Sequence, residues 1–215
     1  MAGFDRVARI YRALEYAAFG ATLQRARTAH VDRLRGCRDV LFLGDGDGRF
    51  LAALLAAAPH ARVTSVDASA AMLTMAAARV HDDDSARVTF TRADMRTITP
   101  PPQSLDAIVT LFSLDCVSDD DVRAVVRRLA PALRAQGQWL FADFALPPRG
   151  LARLHARVVV AALYLFFRWQ THIPARALPQ SERWLSEAGL VLLAETSFRA
   201  GLIRSAVYAR AAGGQ

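Results

Sequence analysis

Val40-Leu41-Phe42-Leu43-Gly44-Asp45-Gly46-Asp47-Gly48-Arg49-Phe50 is the stretch on which the fold of this chain turns. Four apolar residues in succession are what a parallel strand buried on both faces requires. The three glycines that follow let the backbone turn tightly and come close to a ligand. Phe50 to Ala58 then reads as an Ala/Leu helix ended near Pro59. Strand, glycine loop and helix make one unit, and the unit repeats. Arg62-Val63-Thr64-Ser65-Val66 is a strand that ends at Asp67, and Ser69 caps a helix from Ala70 to Val80. Val88 to Thr91 is a third strand, ending at Asp94, and Leu105 to Leu111 a fourth. Asp119-Asp120-Asp121 places three acids at the start of a helix from Val122 to Leu133, where its dipole favours them. Gln138 to Phe144 is a fifth strand.

Repeated strand–helix units predict an α/β fold, a doubly wound Rossmann-like sheet of about seven mostly parallel strands. Leu190 to Phe198 and Leu202 to Ala209 supply the last two, with an antiparallel final strand. Upstream, Phe4, Val7, Ile10, Tyr11, Leu14 and Ala18 fall at helical spacing, and Gly20 breaks this lead-in into two helices. The expected organisation is one domain over 1–215. It divides into a helical lead-in (1–35), the strand–helix core (36–145), a helical insertion (146–189) and the terminal strands (190–215).

Composition narrows the chemistry. The 215 residues are 53% hydrophobic and 22% charged, enough apolar material for a full core. All 27 basic residues are Arg, against 20 acids, for a net charge of +7. The absence of Lys excludes a Schiff base and a Walker lysine. The arginines are spread along the chain, so the charge is a weak pointer to polyanions. Two cysteines, Cys37 and Cys116, make neither a disulfide framework nor a four-thiolate metal site, and no metal is expected. The N-terminus lacks a signal-peptide core, and the longest apolar run, Val158 to Phe167, is about half of the ~20 residues a spanning helix needs. These features predict a cytoplasmic protein.

Ligands of an open α/β sheet lie at the carboxyl ends of its strands. Three features fall there. The first is the loop Gly44-Asp45-Gly46-Asp47-Gly48. Its G-x-G-x-G spacing differs from the dinucleotide fingerprint, which needs glycine where Arg49 stands. Its two aspartates disfavour a pyrophosphate and suit a cation. The second is Asp67, 23 residues after Gly44, placed to accept both hydroxyls of a ribose or, more plainly, to cap the next helix. Asp94 in Thr91-Arg92-Ala93-Asp94-Met95 is the third: the acid can hold an exocyclic amine while Met95 covers a ring.

A ligand with an adenine amine, a ribose diol and a cationic aminoacyl-sulfonium tail satisfies all three. LFLGDGDGRF, VTSVDASAAML, FTRADM and LDAIVTLFSLDCVSDDDV resemble, in order, motifs of the class I S-adenosylmethionine-dependent methyltransferases. The resemblance covers about residues 36–145. The lead-in FDRVARIYRALEYAAFG resembles, less specifically, the small-molecule subgroup that includes quinone-ring methyltransferases. The resemblance implies S-adenosylmethionine as cofactor and S-adenosylhomocysteine as product. It implies that Gly44, Asp45, Gly46 and Gly48 hold the methionine end, Asp67 the ribose, and Asp94 with Met95 the adenine. Ala68 and Met72 would line the adenosine pocket, and Leu111, Phe112 and Ser113 would flank the sulfonium. Family members commonly carry an acid two residues before the first glycine; here that residue is Phe42, and Asp45 offers the negative charge instead.

The acceptor is less legible. The Asn/Asp-Pro-Pro-aromatic tetrad usual in amino-methyltransferases of nucleic-acid bases is absent after the fourth strand, and no aromatic-and-basic stripe points to stacked bases. A small-molecule acceptor is expected, hydrophobic or aromatic, with nucleic acid disfavoured. Phe4, Tyr11, Phe19, Leu163, Tyr164, Phe166, Phe167 and Trp169 are its candidate lining, although core packing accounts for the same residues. Tyr11, His155, Tyr164 and His172 are the substrate-side candidates, the histidines as bases or as structural residues; Asp115 and Asp143, near strand ends, stand behind them. Two alternatives stay open: an RNA methyltransferase, favoured by the charge, and a non-catalytic S-adenosylmethionine-binding partner protein, favoured by Phe42. The segment Leu151–Trp169 is apolar on nearly every face, with Arg153, Arg157 and Arg168 at its ends. It predicts either burial or peripheral contact with a membrane.

Overall fold

The computed structural model describes residues 19–171 and 178–210, with the backbone alone over 164–171. Seven strands form one sheet: β1 (Asp39–Leu43), β2 (Arg62–Asp67), β3 (Val88–Arg92), β4 (Leu105–Leu111), β5 (Leu133–Phe144), β6 (Leu190–Phe198) and β7 (Ile203–Arg210), in the order β3-β2-β1-β4-β5-β7-β6. The first five run parallel, and β7 is antiparallel to both β5 and β6. The chain winds outward from β1 to β3, then returns to start β4 on the other side of β1. The reversal point therefore lies between β1 and β4, and an open α/β sheet places its ligand crevice there.

The helices are α1 (Thr22–Thr28), α2 (Arg49–Ala57), α3 (Ala70–Ala77), α4 (Asp82–Ser85), α5 (Asp119–Leu129), α6 (Gly150–Thr171) and α7 (Ser181–Glu187). Alternate residues of the strands serve opposite faces. Val40, Phe42, Val109 and Leu140 pack with Phe50, Leu51 and Leu54 of α2. Leu41, Leu43, Ile108, Trp139 and Phe141 pack with Val122, Val125, Val126 and Leu129 of α5. Trp139 is fully buried, and its indole N–H donates to Thr110 Oγ1 at 2.8 Å, so its polar edge is satisfied inside the core. A third cluster joins Phe19, Leu23 and Ala26 to Ala156 and Val160 of α6 and to Leu202 and Ile203.

Several boundaries differ from the sequence reading, each for a local reason. Helix α5 begins at Asp119 rather than Val122 because Ser118 caps it: Ser118 Oγ accepts the Asp121 N–H and donates to the Asp121 carboxylate. It ends at Leu129 rather than Leu133, since Pro131 follows and the chain tightens into a 3-10 turn over Ala130–Ala132. Strand β5 starts at Leu133 rather than Gln138, with a register irregularity opposite Leu105 and Ala107. The short helix α4 was not anticipated. Gly20 (φ +56°) precedes the start of α1, as its role of helix breaker requires; the lead-in residues before it lie outside the described residues.

Candidate functional site

Backbone geometry sets the loop after β1. Gly44, Gly46 and Gly48 all have positive φ, at 72°, 70° and 83°. Two of them are also packed closely. A Cβ on Gly44 would stand 2.7 Å from Ser113 Cβ, and one on Gly48 would stand 2.5 Å from Ala76 Cα. Gly46 is different: a Cβ there would meet nothing within 4 Å. Gly44 and Gly48 thus bring the loop onto the β4 end and α3, and Gly46 faces open space.

The two loop aspartates have opposite surroundings. Asp47 is neutralised, its carboxylate taking a 2.9 Å bond from Arg49 Nε and a 3.2 Å bond from Arg79. Arg79 Nε also donates to the Asp47 carbonyl at 2.6 Å, pinning the loop to the end of α3. Both carboxylate oxygens of Asp45 are buried with no well-formed hydrogen bond among the described residues, the Leu51 N–H being the backbone donor turned toward them. Burial pushes the Asp45 carboxyl up to about 8, and the nearby charge of Asp47 adds to this against the opposing pull of Arg27. A buried carboxyl that no hydrogen bond satisfies and that the Arg27 charge only partly offsets favours the arrival of a cation.

The other strand ends converge on the same place. Asp67 closes β2, half-buried, with Oδ1 taking the Ser69 N–H at 2.8 Å, while Ser69 Oγ takes the Met72 N–H and caps α3. The Asp67 carbonyl accepts from Ala93 N, tying the β3 end to it. Ala68 is half-buried and Met72 buried at the start of α3. Asp94 and Met95 are half-buried, but the Asp94 carboxylate is clasped by Arg96 Nε and Nη2 at 2.6–3.0 Å, which lowers its pKa. Leu111 is buried in the α2-side core. Phe112 has φ +56°, rare for a non-glycine residue and a local strain at the tip of β4. Ser113 is 4% exposed, and its Oγ is buried with no hydrogen-bond partner among the described residues.

Three groups that the motif reading left aside also stand here. Arg27, on α1, is buried with its guanidinium 5.0 Å from the Phe112 ring centroid, and its charge acts on both Asp45 and Asp115. No sequence signal marks it out, because only the packing of α1 carries it there. Asp115 and Asp143 stand side by side beyond β4 and at the end of β5, and strand-end position was the one available hint. Phe112, Phe144 and Phe19 form an aromatic wall beside them, with ring centroids 5.5 and 5.4 Å apart.

Of the substrate-side candidates, Tyr11 and His172 lie outside the described residues, as does the side chain of Tyr164. His155 is exposed on α6, whose inward face is formed by Ala156, Val159, Val160 and Leu163, so this histidine is not gathered with the strand-end groups. Of the two alternatives for α6, full burial does not hold at its outer face, where Leu151, Leu154 and Val158 are 85%, 61% and 63% exposed.

Comparison with known proteins agrees with this geometry. A methyltransferase-domain family matches residues 40–137. The chain is similar to a malonyl-[acyl-carrier protein] O-methyltransferase of Paenibacillus sp. (strain JDR-2), 28% identical over 155 residues, covering 70% of this chain and 54% of that one. It is also similar to an uncharacterised methyltransferase of Bacillus velezensis, 29% identical over 105 residues, covering 49% and 46%. The chain thus spans about half the length of these curated relatives. Among solved structures, the mitomycin 7-O-methyltransferase MmcR shares the fold with a TM-score of 0.66, 22% identity and coverage of 96% and 60%. The N-methyltransferase NodS of Bradyrhizobium japonicum WM9 does so with a TM-score of 0.60, 17% identity and coverage of 88% and 97%. Motifs, strand order and family match agree: residues 40–137 match a methyltransferase domain, and the chain resembles the class I S-adenosylmethionine-dependent methyltransferases in the order of its motifs and strands.

Proposed function

We propose that this protein transfers the methyl group of S-adenosylmethionine to a small hydrophobic or aromatic acceptor. The observation that carries the reading is Asp45, a buried carboxylate with no well-formed hydrogen bond, beside a glycine whose Cβ direction is open. Those features fit the protonated amine of the methionine end and a loop against which the ligand lies. Gly44, Gly46 and Gly48 shape that end, Asp67 holds the ribose diol, and Asp94 with Met95 meets the adenine. Ala68 and Met72 line the adenosine, and Leu111, Phe112 and Ser113 stand beneath the sulfonium. When bound, the cofactor supplies an electrophilic methyl group on a cationic sulfur. The protein's part is to fix the acceptor in line with it and keep water out.

Support for an aromatic acceptor comes from the ring cluster of Phe19, Phe112 and Phe144 at the β4 and β5 ends. Similar proteins named as O- and N-methyltransferases support a small-molecule acceptor, and the malonyl-carrier enzyme among them supports a carboxylate instead. The test is a cell-extract assay with methyl-labelled S-adenosylmethionine, comparing the native chain with Gly46→Val. The expected result is a labelled small molecule made by the native chain alone; label in RNA instead would move the chain to the RNA alternative.

A second reading concerns where the acceptor comes from. The outer stripe Leu151, Leu154 and Val158 is exposed, and residues 144–181 carry Arg149, Arg153, Arg157, Arg168 and Arg176 with no acid. Apolar surface fringed by arginines matches an anionic lipid surface, which would supply a hydrophobic acceptor. Among the described residues no helix is long and apolar enough to cross a membrane.

A further inference from the structure

We propose that Asp115, backed by Asp143, takes the proton from a neutral hydroxyl acceptor during methyl transfer. This rests on the reading of the chain as a methyltransferase and names its acceptor class. Asp115 lies in the 3-10 turn Leu114–Cys116 just beyond β4, and Asp143 is the penultimate residue of β5, 3% exposed. Asp143 Oδ1 takes the Phe144 N–H at 3.0 Å, but no fixed donor among the described residues reaches Asp143 Oδ2. The Asp115 carboxyl stands beside it. Two adjacent carboxyls, one buried and one half-buried, resist ionising together and are held by one shared proton. Asp143, the deeper, keeps it. Asp115 is the half-buried member, the one an acceptor can reach, and Cys116 Sγ lies 3.5 Å from its Oδ1.

The surroundings fit this division of work. Burial raises both carboxyls, Asp143 well above the usual range with the Asp115 charge adding to it. The charged and titratable groups that face the pair are Arg27 from α1, Asp67 from β2 and Cys116 itself, with Asp45 beyond Arg27. A carboxylate whose basicity is raised is a better proton acceptor than an ordinary one. Three further buried oxygens without well-formed hydrogen bonds, one on Ser113 and two on Asp45, mark the adjoining space as built for a ligand. The aromatic wall of Phe112 and Phe144 borders the pair.

The step balances. A new C–O bond forms at the acceptor oxygen, and the S–C bond of the sulfonium breaks with its electron pair returning to sulfur. The acceptor O–H bond also breaks, leaving one proton, which goes to Asp115. A carboxylate acceptor has no proton to give and would bring a second anion against an acid pair. The site therefore selects phenolic or enolic hydroxyls over carboxylates, unlike the acceptor named for the malonyl-carrier relative.

The experiment uses the full chain, first with S-adenosylhomocysteine bound and then in turnover with catechol and benzoate as first members of phenol and carboxylate panels. With S-adenosylhomocysteine bound, infrared difference spectra at pH 7 should show the carbonyl band of a protonated carboxyl that Asp143→Asn removes. In turnover, phenols should be methylated and carboxylates not. The native kcat should rise with pH along a limb that Asp115→Asn abolishes, with kcat lowered ~100-fold. Asp143→Asn should displace the midpoint of that limb, which a merely structural role would not. S-adenosylhomocysteine affinity should change less than about twofold in both variants, taking twofold as well under 1 kcal/mol, and this also certifies their folding. Failure of the native chain to bind S-adenosylhomocysteine overturns the methyltransferase reading itself. Binding without the carbonyl band, a pH limb retained in Asp115→Asn, methylation of carboxylates in place of phenols, or turnover of neither panel overturns the assignment of Asp115 alone.

Discussion

Replacing Asp45 with Asn should move stability and ligand affinity in opposite directions. The carboxyl has a folded value of about 8 against an ordinary 3.8, chiefly through burial. A group raised in the folded state contributes its stability below the unfolded value and loses it as pH climbs toward the folded one. At pH 7 the ligand-free chain therefore carries a penalty of up to about 4 kcal/mol, at ~1.4 kcal/mol per pH unit. Asn at 45 removes the penalty and introduces an unsatisfied buried amide, costing ~1–3 kcal/mol. The net should be a gain of about 1–3 kcal/mol, a few degrees of melting temperature for a chain this size. In binding the sign reverses: the amine of S-adenosylhomocysteine loses a charged partner worth ~1.5–3 kcal/mol, or roughly tenfold to a hundredfold in Kd. Native affinity should rise about tenfold from pH 6 to 7 and about fivefold from pH 7 to 8, as binding draws the ionised form, while Asp45→Asn should be flat. Calorimetric titration of both proteins at pH 6, 7 and 8 with parallel thermal melts measures every quantity. Equal affinities, or native binding indifferent to pH, would refute the placement of Asp45 at the cationic end.

Asp47→Asn should show the contrasting pattern, because Arg49 and Arg79 already occupy that carboxylate: a lower melting temperature with smaller loss of affinity than Asp45→Asn. Asp67→Ala should weaken S-adenosylhomocysteine by ~1.5–3 kcal/mol, and unchanged calorimetric affinity in a folded variant would remove Asp67 from the ribose role. Gly46→Val should fold, with some cost for its positive φ, and fail to bind the ligand. Gly48→Val should lose about 3 kcal/mol of stability through overlap with Ala76 and backbone strain; denaturant melts with ligand titrations distinguish the two. Flotation with anionic vesicles should recover the native chain and not Leu154→Glu. Equal recovery, or none for the native chain, would leave α6 without a lipid role.

The parts of the fold that sequence revealed are those set by short-range pattern. Val40–Leu43 and Ala107–Val109 are apolar runs because they are buried on both faces, and Ser69 signalled its helix because an N-cap needs only three residues of context. The ends of α5 and β5 were misplaced for the complementary reason. Ser118 caps α5 through Asp121, which makes the acid run part of the helix, and β5 begins early because Leu133 pairs across the sheet with Leu105. At the site, the glycine loop and Asp67 were legible as motifs. That Asp47 is neutralised while Asp45 is not depends on Arg79, 32 residues away, and no local pattern carries that. Arg27 and the Asp115–Asp143 pair are likewise products of tertiary packing.

The measurement that bears most directly on the account is a crystal structure of the chain with S-adenosylhomocysteine. The account predicts the ligand across the β1–β4 crevice, its amine on the Asp45 carboxylate, its backbone along Gly46 and its ribose hydroxyls on Asp67. A ligand bound elsewhere on the sheet, or one whose amine leaves Asp45 without a partner, would contradict it.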